Sequence, residues 1–187
     1  MDVGCGAGDG LELARDRGAR AIGLDRQPTG RDAVRGDMTS LPFCDASFDV
    51  VLAECVLCLS GDLRRTLNEI DRLLEPGGRL ALSDVTVQGP TPTLPPPIDG
   101  LLCLDGPREP AHLRDQIGAA GLEIVDERSH REDLLEMRDR IRDALDGERI
   151  ATLLGDSDRL RDGARELEAA VQSGRIGYVS IVATSRS

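Results

Sequence analysis

The chain has 187 residues, 34 of them acidic and 23 basic, for a net charge of −11 with every basic residue an arginine and no tryptophan. That length suits one well-packed domain, and the negative balance argues against a nucleic-acid backbone or an anionic membrane as the main partner. No apolar run approaches the roughly 18 residues of a membrane span and no basic-then-apolar leader opens the chain, so a cytoplasmic protein is expected. The arginine-only, aspartate-rich bias fits a GC-rich genome and a salt-adapted surface equally. Five cysteines, Cys5, Cys44, Cys55, Cys58 and Cys103, make an odd count without the spacing of a disulfide framework, and free thiols are expected.

Taken in order, Asp2-Val3 reads as a strand stub running into glycines at 4, 6 and 8. Leu11 and Ala14, one turn apart, begin a helix that Gly18 closes. A second strand, Ala21-Ile22-Gly23-Leu24, ends at Asp25, and a third near Val34-Arg35-Gly36 ends at Asp37. The connection between them, Gln27 to Ala33, is too short and too rich in Pro and Gly for a crossover helix. The near-continuous apolar run Phe48 to Ala53 predicts a strand covered on both faces. Asp62 is a plausible N-cap for a helix with Leu63, Leu67, Ile70 and Leu74 at helical spacing, stopped by Pro76-Gly77-Gly78. A strand from Arg79 to Val87 follows. Residues 88–107, with Pro90, Pro92, Pro95, Pro96 and Pro97, predict an extended, stiff lid loop. A helix over about 109–120 and a strand from Leu122 to Asp126 come next. Residues 131–173 predict a helical insertion, two helices broken near Gly155-Asp156, with a solvated cover over one sheet face as its simplest role. Gly177 to Thr184 alternates as a closing strand. This succession of strands and amphipathic stretches is that of βαβ units in a single domain, 1–187.

The glycine spacing bears on the ligand. A dinucleotide loop would place its third glycine at position 9, where this chain has Asp9. A carboxylate there repels a pyrophosphate but suits a sulfonium and an ammonium, which favours S-adenosylmethionine over NAD. The Gly-x-Gly-x-Gly turn is expected to let backbone N–H groups approach the ligand. Asp25 can accept both hydroxyl hydrogens of a ribose, and Asp37 can accept from an adenine amino group with Met38 over the ring face. All of these lie at the carboxyl ends of strands, where open α/β sheets bind ligands.

Asp2-Val3-Gly4-Cys5-Gly6-Ala7-Gly8, Gly23-Leu24-Asp25, Gly36-Asp37-Met38, Leu41-Pro42-Phe43, Ser47-Phe48-Asp49-Val50-Val51 and Leu74-Glu75-Pro76-Gly77-Gly78-Arg79-Leu80 resemble, in order, the motifs of class I methyltransferases. The resemblance spans roughly residues 1 to 130. It implies a Rossmann-like α/β fold, a seven-stranded mostly parallel sheet with helices on both faces and a final antiparallel hairpin, here N-terminally truncated and with extra C-terminal helices. It also implies Gly4, Gly6 and Gly8 at the methionine end, Asp25 on the ribose and Asp37 facing adenine. Asp2, Cys5, Arg26, Met38 and Glu54 complete the cofactor-binding candidates.

For the acceptor, Glu54-Cys55-Val56-Leu57-Cys58-Leu59-Ser60, Ser83-Asp84-Val85 and Cys103-Leu104-Asp105-Gly106-Pro107 resemble segments of arsenite methyltransferases and their relatives. Carried over by position, Cys55 and Cys103 would be thiolate ligands to trivalent arsenic. Such an acceptor keeps a lone pair and needs no general base, and His112 and His130 are the only histidines. The family's upstream cysteine has no counterpart, and Cys58 stands where those enzymes usually carry Asn. The expected function is methyl transfer to a small-molecule acceptor, with thiols and other small molecules as further candidates. A non-catalytic S-adenosylmethionine-binding or accessory subunit is the alternative, because the chain starts inside its first strand. No metal site is expected: a structural zinc needs four ligands, and no second cysteine pair exists at suitable spacing. The oligomeric state is left open.

Overall fold

The computed structural model describes residues 1–90, 109–136 and 157–186. Within them lie strands β1 (Asp2–Val3), β2 (Gly23–Asp25), β3 (Ala33–Arg35), β4 (Phe48–Glu54), β5 (Leu74–Val87), β6 (Leu122–Ser129) and β7 (Ile176–Ser185). They form one sheet in the order β3-β2-β1-β4-β5-β7-β6. The first five are parallel, with Val3 opposite Leu24, Asp2 opposite Leu52 and Leu52 opposite Ala81. β7 runs the other way. Gln88 N–H donates to the Arg175 carbonyl at 2.7 Å while Thr86 faces Gly177, so numbers fall along β7 as they rise along β5. The same sense holds against β6, where Arg186 pairs with Glu123 and His130 N–H meets the Tyr178 carbonyl. The mostly parallel sheet with a closing antiparallel hairpin is therefore present.

Within the described residues lie helices α1 (Asp9–Asp16), α2 (Leu63–Leu73), α3 (Pro110–Ala119) and α4 (Ser157–Gln172). A 3₁₀ turn covers Leu57–Leu59 and residues 131–136 are helical. α2 shows how local the code is. Its Asp62 carboxylate accepts from Arg65 N–H at 3.0 Å, the N-cap read from sequence, and Leu67, Ile70 and Leu73 are wholly buried on one face. Each such side chain contributes about 1.5–3 kcal/mol by leaving water. The helix ends at Leu73 and β5 starts at once. Leu74 pairs with Phe48, and the register then shifts before Val50 meets Arg79.

One expectation is corrected. Val51 and Ala53, on one face of β4, are buried, while on the other face Leu52 is half-buried and Val50 and Glu54 are exposed. The apolar run there reflects strand propensity as well as burial.

The chain divides into two compact units: Met1–Asp84 with Ala111–Arg128 and Ser180–Ser187, and Val85–Pro110 with Ser129–Val179. In the first, Leu11, Leu24, Leu67, Leu80, Leu113 and Ile181 are among the most buried side chains. The second has its own small core of Val87, Ala170, Val171 and Ile176, against which Leu134, Leu135 and Leu167 pack. Most of the proline-rich segment, Cys103, and residues 137–156 of the helical insertion lie outside the described residues.

Candidate functional site

Along the sheet the strand order turns around between β1 and β4, and α/β sheets bind ligands at such a reversal, beyond the carboxyl ends of the strands. A cleft of about 290 Å³ opens there. Four of the candidate residues, Gly4, Asp25, Arg26 and Met38, line it, and Leu24, Gln27, Gly36, Val56 and Leu59 complete the wall.

The loop after β1 is tied to its neighbour rather than left open. Gly4 and Cys5 N–H both donate to the Leu24 carbonyl (2.7 and 3.2 Å), Gly6 N–H to Asp25 Oδ2 (3.0 Å) and Gly8 N–H to the Cys5 carbonyl (2.8 Å). These four donors are consumed internally, so the expectation that they reach toward a ligand is corrected. The glycines serve space and conformation instead. Gly4 has φ +78°, and any Cβ at that position would collide with the Val56 side chain. Asp9 stands exposed on the first turn of α1 and does not line the cleft.

Asp25 is held by two backbone donors, Gly6 N–H on Oδ2 and Gln27 N–H on Oδ1 (2.8 Å). A carboxylate has about four lone-pair sites, so two acceptor positions stay available on a side chain already fixed in place. Asp37 stands between the lining residues Gly36 and Met38 but does not itself line the cleft. Its Oδ1 accepts from both Thr39 N–H and Thr39 Oγ1–H (2.8 and 2.7 Å) and its Oδ2 from Arg26 (3.1 Å), while Met38 beside it is buried. The Thr39 backbone N–H, the Thr39 hydroxyl and the Arg26 guanidinium together hold the Asp37 carboxyl below the usual range.

The methionine-end candidates form an acidic group. Asp2 is 7 % exposed, and among the described residues no donor hydrogen-bonds its carboxylate. Burial, reinforced by the Glu54 carboxylate and more weakly by Asp25, pushes its pKa from 3.8 up to about 6, against a lowering by the chain's amino terminus. Gly10 makes room for it: a Cβ there would come within 2.9 Å of Asp2 Oδ2 and 4.0 Å of Glu54 Oε2. Cys5 points away from the cleft, packed against Gly23, and burial raises its thiol pKa.

Beyond β4, Cys55 adopts φ +49° and donates its N–H to the Ser83 carbonyl at 2.8 Å. Cys58 is buried, with its N–H on Asp84 Oδ2 at 3.2 Å and its thiol 3.7 Å from the Cys55 carbonyl. Cys44 is exposed, away from the cleft. Neither histidine lines the cleft. His112 is exposed, and His130 Nδ1 lies 2.9 Å from Asp133. Among the described residues no cluster of three His, Cys, Asp or Glu side chains could hold a metal ion, and no helix is long and apolar enough to cross a membrane.

A methyltransferase-domain family model matches residues 1–82, the stretch that builds β1 to β5 and the cleft. Residues 1–82 thus carry a methyltransferase domain, of the class I, S-adenosylmethionine-dependent kind. The chain is 30 % identical over 148 residues to an arsenite methyltransferase of Halobacterium salinarum, covering 67 % of this chain and 37 % of that one. It is also 30 % identical over 147 residues to the methyltransferase GfsG of Streptomyces halstedii, covering 67 % of this chain and 53 % of the relative. The chain thus spans between about a third and a half of the length of these curated relatives. In fold it matches a Haemonchus contortus phosphoethanolamine N-methyltransferase 2 solved with S-adenosyl-L-methionine, at a TM-score of 0.76 and 16 % identity over the whole of this chain and 48 % of that one.

S-adenosylmethionine is this methyltransferase family's cofactor, and the residues present suit it. A buried carboxylate without a donor is costly unless a cation completes it, and the cofactor carries a sulfonium and an ammonium. Gly10 keeps space open over that carboxylate, and Asp25 offers fixed acceptors at the next strand end. Sequence reasoning did not single out Val56 and Leu59 as cleft wall, nor Gly10. Their signal is position: two residues flanking a turn directly after β4, and a glycine one turn beyond the loop.

Proposed function

We propose that this methyltransferase binds S-adenosylmethionine in the cleft with its cationic end toward Asp2 and Glu54, its ribose on Asp25 and its adenine beside Met38 and the Asp37–Arg26 pair. We further propose that the acceptor is a small soft molecule, a trivalent arsenical held by the thiolates of Cys55 and Cys103. The observation that supports the cofactor placement is the buried Asp2 carboxylate, without a hydrogen-bond donor among the described residues and flanked by Glu54 and Asp25. The cofactor supplies a methyl group made electrophilic by its sulfonium. The chain supplies alignment and exclusion of water. Cys55 stands at the carboxyl end of β4, its backbone anchored on β5, next to Val56 in the cleft wall. A thiolate-held arsenical keeps its lone pair, so no general base is required, in keeping with two histidines that both lie off the cleft. The likeness to an arsenite methyltransferase supports the acceptor class.

Calorimetry tests the cofactor: S-adenosylmethionine binds, and Asp25→Ala weakens it at least tenfold, whereas preference for NAD would sink the placement. Incubation with labelled cofactor and a panel of arsenite, selenite, thiols and phenols tests the acceptor. Transfer to arsenite that Cys55→Ser and Cys103→Ser abolish supports thiolate ligation, and activity that survives both substitutions refutes it. Binding with no transfer to any member of the panel favours a non-catalytic cofactor-binding role.

A further inference from the structure

Residues 36–47 hold one wall of the cleft, yet they contain neither a helix nor a named strand. Loops of this kind are mobile unless something outside them binds their backbone. Here the ties come from one face of α2. Arg65 Nε donates to the Thr39 carbonyl at 2.8 Å, and Glu69 Oε2 accepts from Leu41 N–H at 2.8 Å. Arg72 does the rest. Its Nη1 donates to the Phe43 carbonyl (2.9 Å) and Asp45 Oδ1 (2.6 Å), and its Nη2 to the Leu41 carbonyl (3.0 Å) and Glu69 Oε2 (2.8 Å). Its Nε donates to Glu69 Oε1 at 3.0 Å. A guanidinium has five N–H donors, and all five are engaged.

The ties extend to the cleft. Thr39 fixes Asp37 through its N–H and its hydroxyl, Asp37 holds Arg26, and Arg26 with Met38 lines the cavity. We propose that Arg72 and Glu69 are positioning residues for the cofactor: without touching it, they hold the 38–45 loop in the shape that receives it. This inference rests on the cofactor lying in this cleft. A loop ordered in advance has less freedom to lose when the ligand arrives, so the clamp acts on affinity for the cofactor and not on the transfer itself.

The full chain and its Arg72→Lys, Glu69→Gln and Arg65→Gln variants distinguish the possibilities. Lys keeps the charge but presents its donors from one atom and cannot fork across two carbonyls and two carboxylates. Calorimetric Kd for S-adenosylmethionine is measured alongside amide exchange, at a temperature where each variant is folded by circular dichroism. The expected result is a Kd about tenfold higher in Arg72→Lys and Glu69→Gln, faster exchange at the Leu41 amide, and unchanged exchange in β4 and β5. If Arg72→Lys does not fold, Arg65→Gln, which removes only the tie to Thr39, is expected to raise Kd about threefold. Wild type that binds while its variants bind equally well overturns the clamp alone. Wild type that does not bind overturns the cofactor placement, and the clamp with it.

Discussion

Replacing Asp2 by Asn keeps the side chain's size and removes its charge. In the folded chain that carboxyl titrates near 6 against an ordinary 3.8, a difference of about two pH units. At about 1.4 kcal/mol per unit, the ionised group costs the ligand-free fold about 3 kcal/mol. The sign follows from which state holds the proton. Below pH 3.8 the carboxyl is neutral in both states and the cost is absent. Between 3.8 and 6 the unfolded chain releases the proton first, so stability falls as pH rises, and above 6 the loss is complete. Asp2→Asn is therefore expected to match the parent at pH 3.5 and to exceed it by about 3 kcal/mol at pH 8. For a chain of this size that raises Tm by roughly 6–12 °C. Urea titrations at both pH values give the difference directly. On the proposed placement the cofactor is expected to reverse the ranking: a bound cation favours the ionised carboxylate, so parental affinity rises as pH climbs from 5 to about 6 and then levels. Asp2→Asn loses both the affinity and its pH dependence. A stability difference that is the same at pH 3.5 and pH 8 would refute the reasoning, as would a variant less stable than the parent at pH 8.

Three further outcomes are expected. Gly4→Ala forces a side chain onto φ +78° and into Val56, and should cost roughly 2–4 kcal/mol in urea denaturation; Gly4→Ala with Val56→Ala should recover the steric part while keeping the backbone part. Asp62→Ala removes the α2 cap and should lower stability by about 1 kcal/mol, read as a shift in urea midpoint at unchanged slope. Glu69 is held below its ordinary 4.5 chiefly by the Arg72 guanidinium, so its contribution is present above pH 4.5 and lost as pH falls through the lowered value; Glu69→Gln should flatten that acid limb.

What the sequence reveals follows the range of each interaction. α2 is legible because its cap and its apolar spacing lie within twelve residues, from Asp62 to Leu73. Asp25 and Met38 are legible as cleft-lining residues because clefts open at the carboxyl ends of strands in this topology. The occupied N–H groups of the glycine loop are not, since their partners at Leu24 and Asp25 belong to the next strand. Nor is the exposure of Val50, since an apolar run does not say which of a strand's two faces is left uncovered. The Arg72 clamp is the extreme case. Its loop partners, Leu41, Phe43 and Asp45, lie 27 to 31 positions earlier, and nothing local distinguishes Arg72 from the other arginines of α2.

The same distinction resolves the acidic composition. In sequence only a few carboxylates, such as Asp25, Asp37 and Asp62, stand out by position, and the rest of the excess reads as a repulsive surface. In the fold they separate by partner. Asp37, Glu69 and Glu127 each meet donors from Thr39, Arg72 and Arg114, and each is held below its ordinary pKa. Asp2 alone of these four is buried without a donor, beside two more carboxylates, and is pushed the other way. A carboxylate whose pKa falls has its partner inside the protein. One whose pKa rises has lost more to burial than its neighbours return, and a cation placed beside it would lower it again. The direction of the shift thus separates the acids paired within the protein from the one that is not, a division no count of Asp and Glu can make.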